Sequence, residues 1–180
     1  MTYLEKDTNT DSFSLASLIP FLLVTFGLAW GIIALFVFLP TQMASVFGEL
    51  TGQHPLFYLA VYAPAIAALT LILFRKGPSG ARRFLSRLLL WRASAAWYAF
   101  LLIGIPLLFY AGAVWKGLSV SELVPVSAVG TYLIALALHA IKGPVEEIGW
   151  RGFALPLLQR RMSPLFAGLV IGIIWGVWHL

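Results

Sequence analysis

Cysteine is absent from the 180 residues, which removes disulfides, thiol nucleophiles, cysteine-bound zinc and iron–sulfur clusters together. Aspartate is nearly absent: Asp7 and Asp11, both in the polar tail at the start, leave aspartyl-protease chemistry without its carboxylates. No His-Glu-x-x-His zinc motif occurs. No polar linker, internal repeat or low-complexity tract divides the chain, so it reads as a single domain, residues 1–180, opening on a polar tail at 1–14. Charge is sparse, 11% of residues where soluble domains carry about a quarter. What fills the chain instead is apolar, 61% of residues with a mean hydropathy of +0.92. That composition makes an all-α, polytopic transmembrane helix bundle the expected fold.

A bilayer core takes roughly 20 apolar residues per helix. Five stretches meet that need, at about 15–39, 56–74, 95–115, 126–158 and 163–180. The loop after the first has no Lys or Arg, whereas the loop after the second carries Arg75, Lys76, Arg82, Arg83, Arg87 and Arg92. Positive loops stay in the cytoplasm, so the N-terminus is expected inside and Arg160–Arg161 inside again, in a multi-pass protein of the plasma membrane. The net charge of +5 is placed beside apolar spans, which favours the lipid bilayer as partner over nucleic acid. "GARRFLSRLLLWR" interleaves arginines with Phe84, Leu85, Leu88 and Trp91 and suits a helix at the headgroups. "GPSG" at 77–80, inside this basic loop, reads as a turn rather than a serine nucleophile.

The fourth stretch is too long for one span: about 33 residues at 1.5 Å each make about 50 Å of helix. Gly143–Pro144 is the natural break, with Pro144 opening a new helix. Pro156 is expected to kink that helix, and Ser163–Pro164 to cap and start the next. Into this apolar setting "KGPVEEIGWRGF" puts Glu146, Glu147 and Arg151. Glu146 lies about 15 residues before the turn at Arg161–Met162 and His179 about 17 after it, equal depths within ~3 Å in an antiparallel hairpin. Ionisable groups at such depth cost about 2.5–3.5 kcal/mol each on insertion scales and mark a bundle interior or a wet cavity. Glu147 and Arg151, spaced i, i+4, can neutralise each other, which leaves Glu146 as a general base for water. The spacing alone is equally consistent with an ionic latch between helices.

Glu146-Glu147-x-x-x-Arg151-Gly152, then Pro156, a basic turn, and a span ending Trp175-x-x-x-His179-Leu180 resembles the CAAX protease and bacteriocin-processing family of intramembrane endopeptidases. Trp175 stands where that family usually has Phe, and its third motif, His-x-x-x-Asn in a later helix, does not occur here. The resemblance implies about eight membrane helices, of which about five are present, with the motif-bearing core at about 126–180. It also implies catalysis by Glu146, Glu147, Arg151 and His179. Glu146 would activate water, Glu147 position it, Arg151 hold the glutamates, and His179 assist the base or stabilise the oxyanion. The implied substrate is a peptide or membrane-anchored protein, prenylated in the eukaryotic relatives. The cofactor is either none or a divalent metal such as zinc, with Glu146, Glu147 and His179 as its ligands. A non-catalytic membrane scaffold or bacteriocin-immunity protein, or a transporter fragment, would carry the same composition.

Other polar residues are read as structural. His139, seven residues before Glu146, is a packing or cavity-lining histidine with a secondary claim on the site, as has Trp175. His54 is expected to be solvated in an outer loop, and Lys142 to snorkel or to pair with a glutamate.

Overall fold

Proline and serine set where the helices begin. In the computed structural model, which describes residues 13–89, 92–118, 130, 133, 134, 137 and 143–180, a single tight turn at Leu15–Ser17 leads into α1, Leu18–Phe38. The short α2, Pro40–Phe47, starts on its proline, as does α3, Pro55–Val61. α4 is Ala63–Ser86 and α5 is Ala95–Trp115. α6 covers 144–158 and again opens on a proline. α7, Pro164–Trp178, has Ser163 as its N-cap, the hydroxyl accepting from the Phe166 N–H at 3.5 Å. Among the described residues every regular element is helical, so the all-α expectation holds.

The residues fall into two units, Met1–Leu85 with Gly143–Leu180 and Ser86–Lys142. The first contains the site. Among the described residues, α5, in the second, is one of two helices long and apolar enough to cross a bilayer; the other is Leu15–Phe38. Within the span expected at 56–74, α3 and α4 meet at a 63° bend, the geometry of a broken span or of a re-entrant pair. Pro64 explains it, since its ring cannot donate to the Ala60 carbonyl and crowds it. The shorter α7 is apolar throughout. Of the fourth stretch, the part before Gly143 lies largely outside the described residues.

Two prolines leave the same signature. Pro156 follows a π-helical turn, Trp150–Ala154, and Pro106 follows another, Phe100–Gly104. In each the bond skips a residue, Leu155 N–H to the Trp150 carbonyl and Ile105 N–H to the Phe100 carbonyl. A proline two positions on removes a donor, and the widened turn absorbs its ring. The expected kink at Pro156 therefore takes the form of a π turn just above it. At Gly77 the helix of α4 is interrupted outright, with φ 65° and ψ −172°, a conformation reserved for glycine. This is the turn expected of "GPSG". Beyond it the chain is helical again, with Arg82 and Arg83 exposed and Ala81 and Phe84 buried.

α1 is apolar all round, yet it buries one stripe: Phe21, Thr25, Ala29 and Ile32. Phe21 meets the rings of Trp150 and Phe153 at 5.5 and 5.4 Å, which docks α1 on α6. Trp150, Phe153, Ala154, Leu157 and Leu158 are all buried, so α6 is the core helix of this unit. Where lipid is as apolar as leucine, helices associate through close packing, and small residues permit it. Ala60, Ala63, Ala67, Ala68 and Ala167 are accordingly buried. Gly149 brings α6 close against α4, because a Cβ there would fall on the Pro64 carbonyl.

One end of this unit gathers positive charge. Phe13 packs edge-on against Phe153 at 5.2 Å, with the Arg75 guanidinium 5.3 Å and the Lys76 ammonium 5.6 Å from its ring centre. Arg160 donates to the Phe13 carbonyl at 3.0 Å. Basic residues from the end of α4 and from the turn after α6 thus meet at the start of the first apolar stretch.

His54 is not merely a solvated loop residue. Its Nδ1 accepts from the Leu56 N–H at 3.1 Å, capping α3, and its Nε2 lies 2.8 Å from the Phe47 carbonyl. A carbonyl only accepts, so Nε2 carries the proton, and one ring closes the loop between α2 and α3.

Candidate functional site

Glu146 and Glu147 fall in the first turn of α6 because Pro144 starts it. There the free N–H groups and the positive end of the helix dipole favour carboxylates. The Glu147–Arg151 pair forms as spaced: Nη1 donates to Oε1 at 2.8 Å. Both side chains are nearly half exposed, 42% and 45%, which limits the pair to about 0.3–0.5 kcal/mol of helix stability. Because both partners belong to one helix, the pair itself ties no helices together.

Arg151 reaches α7 by another route. Its guanidinium carbon lies 5.4 Å from the centre of the Trp175 ring, a cation–π contact. Trp175 in turn packs on His179 with ring centres 4.3 Å apart, and Trp178 flanks the same imidazole at 4.8 Å. His179 ends α7 as its C-cap, and its Nδ1 lies 2.9 Å from the Trp175 carbonyl. That carbonyl can only accept, so Nδ1 bears a proton and donates it there.

Glu146 completes the group. It is half-buried, its ionisable neighbours are His179, Glu147 and Arg151, and the Trp175 indole stands beside its carboxylate. His179 at the end of α7 thus lies within electrostatic reach of Glu146 at the start of α6. Among the described residues Glu146 makes no ion pair, since Arg151 is engaged by Glu147. Among the described residues no group of three His, Asp or Glu side chains is gathered closely enough to hold an ion. Glu147 is turned to Arg151 instead. His139 and Lys142 lie outside the described residues.

Two tryptophans support the site without any sequence signal of their own. Trp30 donates its indole N–H to the Trp178 carbonyl at 3.2 Å, fixing the end of α7 that bears His179. Trp178, otherwise a packing residue, joins Trp150 at 6.0 Å and so links His179 to the core of α6. In an apolar helix nothing distinguishes such residues from lipid-facing ones until the partner helix is in place.

Residues 128–180 match the family described as type II CAAX prenyl endopeptidase Rce1-like. Over 48 residues the chain is 40% identical to the CAAX prenyl protease 2 of Methanococcus maripaludis. That match covers 27% of this chain and 18% of the relative. No solved structure matches the chain.

Proposed function

We propose, from the match of residues 128–180 to the type II CAAX prenyl endopeptidase Rce1-like family, that the chain carries part of an intramembrane endopeptidase site in which Glu146 activates water. The observation that carries this reading is the meeting of Glu146 and His179 across two helices, with Arg151 spent on Glu147. A half-buried carboxylate whose neighbouring arginine is engaged by another glutamate is able to take a proton, and an imidazole beside it is able to help orient the water that gives it up.

In the proposed reaction Glu146 takes one proton from water while the oxygen attacks the peptide carbonyl carbon. The tetrahedral intermediate collapses with cleavage of the C–N bond, and the proton held by Glu146 passes to the departing nitrogen. His179 acts through Nε2, assisting the base or stabilising the oxyanion, because its Nδ1–H is committed to the Trp175 carbonyl. Arg151 keeps Glu147 turned away from Glu146, which leaves a single base. No step requires a metal. The substrate class is a membrane-tethered peptide, prenylated at a CAAX end as the relative's name suggests. The partner is the bilayer itself, in the plasma membrane, with the basic cluster around Phe13 on the cytoplasmic side.

The test uses the full-length protein in liposomes and a tethered reporter peptide, with and without a prenyl group. Glu146→Gln is expected to accumulate normally and to cleave about 10²–10⁴-fold more slowly, the usual worth of a general base. Undiminished cleavage would remove Glu146 from the mechanism. Failure of the variant to accumulate would favour the scaffold reading.

A further inference from the structure

The cations that meet at Phe13 come from elements far apart in the chain. Phe13 is buried, and three positive side chains converge on it. The Arg75 guanidinium and the Lys76 ammonium, both of α4, stand over its ring, while Arg160, in the turn after α6, uses Nη1 to donate to its carbonyl. Arg161 follows at once and is exposed, as are Arg75 and Arg160. Like charges gathered at one place repel, and a counter-ion relieves that repulsion.

Arg75 is held by the protein only in part. Its contacts are the Phe13 ring and a long bond, 3.4 Å, to the Ser17 hydroxyl, a small share of the five N–H donors of a guanidinium. Among the described residues it has no carboxylate partner. A planar fork with donors to spare, standing at the surface beside other cations, suits the oxygens of a phosphate.

The apolar surroundings say what carries that phosphate. Phe74, the residue before Arg75, is 85% exposed. Ile19 in the first turn of α1 and Phe166 in the first turn of α7 are exposed as well, at 63% and 62%. Both helices begin within a few residues of the cluster, so the cations cap exposed apolar helix ends. An inorganic anion would match the charge alone. A phospholipid matches both parts, its headgroup against the arginines and its acyl chains along the apolar turns.

We infer that this cluster is a headgroup site for an anionic phospholipid, its phosphate held by Arg75 and Arg160 beside Phe13. The lipid fastens α4 to the turn that joins α6 and α7, the helices carrying Glu146 and His179. The inference goes beyond the endopeptidase reading and does not depend on it.

The experiment takes purified full-length protein in detergent and adds phosphatidylglycerol, phosphatidylcholine with the same acyl chains, or inorganic phosphate. Native mass spectrometry measures retained lipid, and thermal unfolding gives Tm. Phosphatidylglycerol is expected to be retained at least about tenfold over phosphatidylcholine and to raise Tm by about 2–4 °C. Retention should fall about fivefold in Arg75→Gln and in Arg160→Gln. It should be unchanged in Lys116→Gln, the same loss of charge at the end of α5. Equal retention of the two lipids by wild type, a comparison that needs no variant to fold, overturns the inference. Wild-type retention in both arginine variants overturns it too, as does an equal loss in Lys116→Gln, which would reduce the effect to net charge. An equal rise in Tm with inorganic phosphate would assign the site to the free anion and overturn the lipid.

Discussion

Trp30 on α1 donates to the carbonyl of Trp178 at the end of α7, 3.2 Å away. The last carbonyls of a helix have no partner within it, and here one is satisfied by a side chain from a helix 148 residues distant in sequence. The bond holds the segment whose next residue is His179.

Trp30→Phe should therefore cost about 1 kcal/mol, the usual net worth of one hydrogen bond. Thermal unfolding of the detergent-solubilised protein should report that loss as a modest drop in Tm. Reporter cleavage should fall further than the stability does, since the displaced residue is the neighbour of His179. Equal activity in the two proteins would show that the bond serves packing alone.

Gly149 and Gly152 stand one turn of helix apart and should respond differently to alanine. At Gly149 the new methyl would meet the backbone of Pro64, which cannot step aside. At Gly152 it would meet the tip of the Phe84 ring at 3.1 Å, a side chain able to turn. Gly149→Ala is expected to destabilise by about 1–3 kcal/mol, the range of overpacked cores, and Gly152→Ala by less than about 1 kcal/mol. Protease resistance and Tm measure both; an equal response would mean that α6 can shift away from α4.

The Glu147–Arg151 pair should matter little to stability and more to cleavage. A double-mutant cycle with Glu147→Gln and Arg151→Met should give a coupling of about 0.3–0.5 kcal/mol in unfolding, as for other exposed helical pairs. In cleavage, Arg151→Met should be the more damaging change, because it frees Glu147 to compete with Glu146 and removes the cation from the Trp175 ring. Glu147→Gln added to Arg151→Met should then recover part of the rate. A coupling above about 3 kcal/mol in unfolding would instead mark a buried latch.

Much of the local structure could be read without coordinates because its causes are local. Pro144 and Ser163–Pro164 start helices through donors that proline lacks and a hydroxyl that caps, and both helices begin there. Glu147 and Arg151 met because four residues make one turn of helix. The approach of His179 to Glu146 followed from a rise per residue and a turn between them. His54, read as solvated, proved to cap α3, since its partners at Phe47 and Leu56 are backbone atoms that carry no sequence label.

The chain by itself determined an all-helical membrane architecture, the helix starts and the spacing of the charged motif, since hydropathy and capping act over a few neighbouring residues. Only the tertiary structure decided which face of each apolar helix is inward. α1 has leucines, isoleucines and phenylalanines on every side, and lipid solvates them as well as a core does. That Phe21, Thr25, Ala29 and Ile32 face α3 and α6, and that Trp30 reaches Trp178, comes from shape, where small residues allow backbones to approach and rings fill what remains. The same packing set the Trp175 ring between Arg151 of α6 and His179 of its own helix.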